Sequence, residues 1–358
     1  MIIDIVKVFI PLAVSFVIGL VGIAPIVLHF LNKYCLWKKT SVSVTIDGQA
    51  ASITASLHKD EIKKTPRMGG SVVWIATAVT VVLMWALSIV FPGEVSSKLN
   101  FLSRNQTWLP LFTLLAASLV GLADDFLVTR GGQGLGGYIG GGLPLKLRIA
   151  IVALIGAIGG SWFYWKLGVD LITIPFYGHL ILGGFIVPLF VIVMLALFSG
   201  GVIDGIDGLS GGIMATIFAA YAGIAFYQNQ IDLATFGAVV VGGILAFLWF
   251  NIPPARFYMS ETGMLGLTTT LTVIAFLTDS IVFLPLIALP LFATTGSVVL
   301  QLLSKRYRGK KIFLSAPLHH HFQAIGWPAY TVTMRYWIVG IICAVLGMVL
   351  TVLGKLLI

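Results

Sequence analysis

Charge is scarce in this 358-residue sequence: Asp, Glu, Lys and Arg together make up 10% of it, against about 25% in an ordinary soluble domain. With 58% hydrophobic residues and a mean hydropathy of +1.03, that shortage excludes a soluble enzyme with a few apolar helices. It also excludes a disordered chain and an outer-membrane barrel, whose alternating strands keep the average hydropathy modest. Cysteine is nearly absent. Cys35 and Cys343 are the only two, with no CxxC or Cys/His spacing, which argues against a disulfide framework or a zinc site. Cys343 lies in an apolar run, where a thiol acts as a small hydrophobe. No basic segment precedes the first apolar run, which extends from Ile5 to Leu31. That run is too long for the core of a signal peptide and reads as a retained span. No internal repeat is visible, so an inverted-repeat transporter finds no support. What remains is an all-α polytopic membrane protein, a single domain over residues 1–358.

Ten stretches meet the requirement of about 20 mostly apolar residues: 5–31, 70–91, 108–127, 147–166, 179–199, 209–227, 232–250, 263–279, 281–303 and 335–357. The ninth contains Pro285 and Pro290 and is predicted to be kinked or broken. An even number of spans puts both termini on one side. One set of loops carries 17 of the 22 Lys and Arg residues, so that side is expected to be cytoplasmic and the termini periplasmic. The net charge of +9 then follows from this bias and from anionic lipid, with no nucleic acid required. The outer loops are short and the inner ones long, so function is sought on the cytoplasmic face. Residues 41–57 alternate around Asp47-Gly48 and predict a small hairpin in the first inner loop. Residues 131–142 form a flexible glycine tract.

Five of the 13 acids stand at inner helix ends or in short inner loops: Asp124, Asp125, Asp204, Asp207 and Glu261. A single acid at a helix end is usually a solvated cap. Five from three separate loops on one face are a functional candidate. Asp124 and Asp125 are adjacent on one helix and point about 100° apart, so one can reach a site while the other braces it. Asp204 and Asp207 share one side of a turn among glycines that admit a close ligand. Gathering like charges costs energy unless a cation joins them, and oxygen-only donors favour Mg²⁺ or Mn²⁺. The group therefore reads as a Mg²⁺ site for phosphate chemistry. The run His319, His320 and His321 could serve metal, phosphate or base, or be a pH-sensitive patch. The basic cluster at 305–311 is accounted for by positive-inside bias alone.

Five motifs then occur in order: TPRMGG before the second span, ADD closing the third, DGIDGLSGG after the fifth, NIPPARFYMSETG before the eighth and PLHHHF in the last inner loop. Together, and over essentially the whole chain, they resemble the bacterial phospho-N-acetylmuramoyl-pentapeptide transferases. These belong to the polyprenyl-phosphate N-acetylhexosamine 1-phosphate transferases. PLHHHF is the most specific motif; DGIDGL is shared more widely. The resemblance implies an inner-membrane enzyme that uses Mg²⁺ to join UDP-MurNAc-pentapeptide and undecaprenyl phosphate into lipid I and UMP. It also implies a homodimer. Carried over by motif, Asp124 is the base or positioner of the acceptor phosphate, with Asp125 beside it. Asp204 and Asp207 are the acidic pair near nucleotide and metal, and Glu261 stands where the family has a metal-binding Asp. Tyr258 matches an aromatic that stacks on uracil, and Asn251 a polar residue near the nucleotide. His319 and His320, followed by His321, match the histidines near the diphosphate. Lys63, Lys64, Thr65 and Lys146 match residues lining the cleft.

The chain departs from the family pattern at four positions. Gly201 replaces an Asn and Ile203 a Thr ahead of the first DGxDG aspartate, Val128 replaces a Lys three residues after the acid pair, and Glu261 replaces an Asp. These mark a divergent member with an altered metal shell. The rival readings are a GlcNAc 1-phosphate transferase, which PLHHHF opposes, and a transporter, which would place its acids near the bilayer midplane. A purely structural scaffold leaves the five carboxylates without a purpose.

Overall fold

The computed structural model describes residues 2–37, 65–103, 106–130 and 142–357. The hairpin expected at 41–57 lies outside the described residues, as do Lys63, Lys64 and all of the glycine tract except Gly142.

Nine helices among the described residues are long and apolar enough to cross a bilayer. They are α1 (Ile3–Lys33), α2 (Ser71–Val90), α4 (Trp108–Thr129), α5 (Leu145–Lys166), α6 (Gly183–Ile203), α7 (Leu209–Tyr227), α8 (Ile231–Asn251), α9 (Ser260–Leu277) and α13 (Ala329–Leu356). A short α3 (Glu94–Leu99) follows α2. The tenth expected span is a broken pair, α10 (Ile281–Ile287) and α11 (Leu289–Arg308), bent by 80°. The break has a direct cause. Pro290 has no N–H to donate, and in a continuous helix its ring would collide with the carbonyl of Leu286. The α-helical part of each half, Leu284–Ile287 and Leu289–Arg308, instead takes its proline in its first turn, where a missing N–H costs nothing. A short α12 (Leu318–Ala324) carries the three histidines.

The fifth span starts later than hydropathy suggests. Residues 179–181 belong to an antiparallel strand pair, β1 (Leu171–Ile174) with β2 (Gly178–Ile181), in register Leu171↔Ile181. The apolar run continues through β2, but Gly178 and Gly183 adopt left-handed backbone conformations that a continuing helix does not allow. The Leu182 and Gly183 amides both donate to the Asp170 carbonyl, closing the turn.

Helix α9 is the least apolar and the most buried of the spans. Its buried Thr268, Thr269 and Thr272 donate their hydroxyls to carbonyls one turn back, at Met264, Leu265 and Thr268. Their polarity is thus satisfied within the helix. Helices α4 and α6 pack against it, while α8, set among α1, α2 and α7, is buried on nearly every side. The outer helices α1, α5 and α13 keep large apolar side chains exposed, among them Val21, Leu154 and Ile342. A surface of that kind is stable only against lipid. At the end of the bundle away from the acid pair, Lys7 pairs with Asp232 and Lys355 approaches Asp279 at 3.6 Å. Asp279 also accepts the Thr173 amide at 2.9 Å, tying the strand pair to the end of α9.

The approach of α4 to α9 decides where the site forms. A Cβ added at Gly121 would lie 2.2 Å from the Glu261 carbonyl oxygen. Only glycine lets the two backbones meet there. Gly121→Val is expected to cost about 1–3 kcal/mol, the range typical of overpacking. Thermal melting in detergent should fall by several degrees, with loss of activity in the material that remains folded.

Candidate active site

The first turn of α9 has amide groups with no partner inside the helix, and such a helix end favours negative charge. Its own N-cap, Met259, provides no side-chain acceptor. Two carboxylates from distant parts of the chain serve instead. Asp204 Oδ2 accepts the Ser260 amide at 2.8 Å, and Asp125 Oδ2 accepts the Thr262 amide at 2.9 Å. Ser260 has a φ of 55°, an uncommon conformation for a residue with a side chain and one that such bonds can sustain. Asp204 Oδ1 accepts the Ser210 hydroxyl at 2.7 Å. Burial pushes the Asp204 carboxyl above its ordinary value, while its bonds from Ser210 and Ser260 oppose that rise.

Two arginines answer the acids. Arg67 donates from Nε at 3.1 Å and Nη2 at 3.0 Å to Asp125 Oδ1; Asp125 itself is fully buried. Burial works against the charge of Arg67, but Asp125, then Glu261 and Asp204, outweigh it and hold the guanidinium above its ordinary value. Arg148, at the start of α5, hydrogen-bonds Glu261 and lies 3.6 Å from Asp124 Oδ2. Asp124 also accepts the Leu143 amide. Leu143 follows Gly142, where a Cβ would lie 2.6 Å from Asp124 Oδ1.

The remaining loops close around this centre. Asp207 Oδ2 accepts the Ala255 amide at 2.9 Å. Buried Asn251, at the end of α8, accepts the Gly208 amide and donates to the Phe257 carbonyl, both at 2.9 Å. It therefore fixes the acidic loop to the segment leading into α9. Tyr258 is half-exposed. Its amide donates to the Pro66 carbonyl and its carbonyl accepts the Gly69 amide, which pins the Arg67 segment beside it. His319 is fully buried and packs on the acidic loop: a Cβ at Gly205 would lie 2.6 Å from His319 Nε2 and 3.2 Å from His320 Nε2. Both ring nitrogens of His319 lack hydrogen-bond partners among the described residues. Burial, and then the proximity of His320, press its pKa well below the ordinary value.

The structure thus brings together Asp124, Asp125, Asp204, Asp207, Asn251, Tyr258, Glu261, His319 and His320 from separate segments. His321 sits apart from them, accepting the Leu314 amide at 3.3 Å and packing edge-on against Phe313. Lys146 is exposed and Thr65 half-buried, and among the described residues no hydrogen bond or ion pair joins either to the acids. The expected metal trio Asp204, Asp207 and Glu261 is not gathered into a cage: among the described residues no three His, Cys, Asp or Glu side chains converge as a metal site. Arg67 and Arg148 were not singled out from the sequence. Arg67 stands inside TPRMGG, but an arginine in an inner loop looks like any other contribution to positive-inside bias.

A buried neutral imidazole makes stability depend on pH. With His319 depressed in the folded state, the unfolded chain alone takes up a proton as pH falls below about 6.5, so stability declines on the acid side. His319→Gln should flatten the fall in melting temperature between about pH 6.5 and pH 5. A slope identical to that of the unsubstituted protein would contradict the assignment.

The family model described as glycosyl transferase family 4 matches residues 107–279. Phospho-N-acetylmuramoyl-pentapeptide-transferase of Anoxybacillus flavithermus is 32% identical over 94% of this chain and 96% of its own length. The transferase of the same name from a Geobacillus strain is 35% identical over 84% of this chain and 89% of its own. That from Latilactobacillus sakei is 34% identical over 78% and 82%. With an identity above 30% sustained over nearly the full length of both chains, this protein belongs to the phospho-N-acetylmuramoyl-pentapeptide-transferase family.

Proposed function

We propose that this protein transfers phospho-N-acetylmuramoyl-pentapeptide from UDP-MurNAc-pentapeptide to undecaprenyl phosphate in the bacterial inner membrane, giving lipid I and UMP. The observation that carries the reading is the carboxylate and arginine cluster at the first turn of α9, in a chain of this family. The site lies at one end of the spans, where a lipid-anchored phosphate and a water-soluble nucleotide can meet. The Lys and Arg asymmetry supports a cytoplasmic position for that end and periplasmic termini. A homodimer follows from the family resemblance.

In the reaction, an oxygen of the acceptor phosphate attacks the phosphorus that bears the sugar. A new P–O bond forms there, the bond to the bridging oxygen breaks, and UMP leaves with that oxygen. Both reactants are anions, so the site must cancel repulsion and hold the phosphoryl group in line. Asp124 positions the acceptor phosphate, with Arg148 balancing its charge. Tyr258 offers a face for the uracil, and Asn251 and Asp207 fix the loop beneath it. His319 and His320 border the diphosphate, where their ring nitrogens can donate or accept hydrogen bonds.

The donor set suits a hard cation: Asp204, Asp207 and Glu261 supply oxygen only. Mg²⁺ needs no complete protein cage, since one or two carboxylates with substrate phosphates suffice. Carboxylates from among Asp204, Asp207 and Glu261 would hold it together with substrate phosphate oxygens, and when bound it supplies charge neutralisation at the transferring phosphoryl group. Arg148 balances the charge of Glu261.

UMP release by purified protein with undecaprenyl phosphate, Mg²⁺ and UDP-MurNAc-pentapeptide tests the proposal. UDP-GlcNAc in its place should give none. Glu261→Ala and Asp125→Asn should each lower turnover by a factor on the order of 10². Release only with UDP-GlcNAc would move the chain to a sister activity, and release with neither donor would refute the catalytic reading.

A further inference from the structure

Arg67 is not used up by its ion pair. A guanidinium carries five N–H donors. Two of those of Arg67 go to Asp125 Oδ1, and no further acceptor is seen among the described residues. Its side chain is 27% exposed, whereas that of Asp125 is at 0%. The carboxylate therefore lies behind the guanidinium as a buried anchor, and the open part of the group is arginine. The backbone holds it there from two sides. The Arg67 amide donates to the Leu36 carbonyl at 2.9 Å, and the preceding residue, Pro66, accepts the Tyr258 amide at 2.9 Å. Position 128 on the same helix as Asp125 is occupied by Val128, whose side chain packs near Gly142 and brings no charge. At Asp125 the cation thus comes from the segment before α2 and not from α4.

We propose that Arg67 is a substrate-binding residue that takes an oxygen of the nucleotide's diphosphate, with Asp125 as the fixed anchor that aims it. Planar arginine suits this work: it binds phosphate oxygens through paired N–H groups and stays charged at all working pH values. The anchor removes much of the rotamer freedom that binding would otherwise have to freeze. The assignment rests on the uridine-donor reading above, and it adds a contact that none of the carried-over motif residues provides.

Calorimetric titration of the full chain in detergent, with UDP and uridine as separate probes, tests it. Arg67→Gln alone leaves a buried carboxylate unpaired and endangers folding, so it is paired with Asp125→Asn. In the folded double variant, UDP affinity should fall about ten- to hundredfold, the range of one charge-assisted contact, with uridine affinity unchanged. Asp125→Asn alone, which loosens the anchor but leaves the guanidinium, should lose clearly less UDP affinity than the double variant, and Arg67→Lys should keep part of it. Unchanged UDP binding in the double variant overturns the proposal. So does an equal loss of UDP and uridine, which marks a structural role, or a loss in Asp125→Asn as large as in the double variant. Failure of the unsubstituted chain to bind either probe overturns the uridine-donor reading itself, and this assignment with it.

Discussion

The amide of Thr262 and the carboxylate of Asp125 make the contact on which the rest of the site depends. It satisfies a donor at the end of the most buried helix and places a negative charge where the helix favours one. A charge so deeply buried is tolerated only with a partner, and removing one member of such a pair costs about 3–5 kcal/mol. Arg67 is that partner. Three segments far apart in the chain, 65–70, the end of α4 and the start of α9, are thereby fixed to one another. Asp204 repeats the device two residues earlier on the same helix end and brings in a fourth segment.

This arrangement explains how so few charges are used. With charged residues at 10% of the chain, most of the bundle is held by shape, by threonine hydroxyls turned back onto their own helix and by glycines at close crossings. Ionic groups gather at the two ends of the spans, where the pairs need not be carried through hydrocarbon. The end that holds Lys7, Asp232, Asp279 and Lys355 closes the bundle. The end that holds the acid pair is built differently, with carboxylates in excess of arginines and a half-exposed tyrosine beside them. Excess negative charge beside fixed cations is the setting in which the proposed Mg²⁺ would offset carboxylate and phosphate repulsion.

The divergence of the chain from its family has a physical answer at one position and none at others. The missing lysine at Val128 is matched by a cation that reaches Asp125 from the TPRMGG segment. Glu261 keeps a carboxylate with one more methylene and uses it toward Arg148. Nothing in the structure explains Gly201 or Ile203.

By itself the sequence determined the membrane character, nearly all of the spans and the break at Pro285 and Pro290. These follow from hydropathy and from proline chemistry, which act over a few residues. It also named the acids and histidines of the site, because those residue types stand in recognisable local motifs. Tertiary structure alone decided their partners. Arg67 and Asp125 are 58 positions apart, Asp125 and Thr262 137, and Arg148 and Glu261 113; no local pattern encodes such pairings. The late start of α6 was hidden for a related reason, since an apolar run reads alike as strand or helix until its glycines take up their backbone angles. His321 parted from its two neighbours because successive residues on a helix point about 100° apart. Which of them meets the acidic loop is a matter of how α12 lies against Gly205, and that only the packed chain decides.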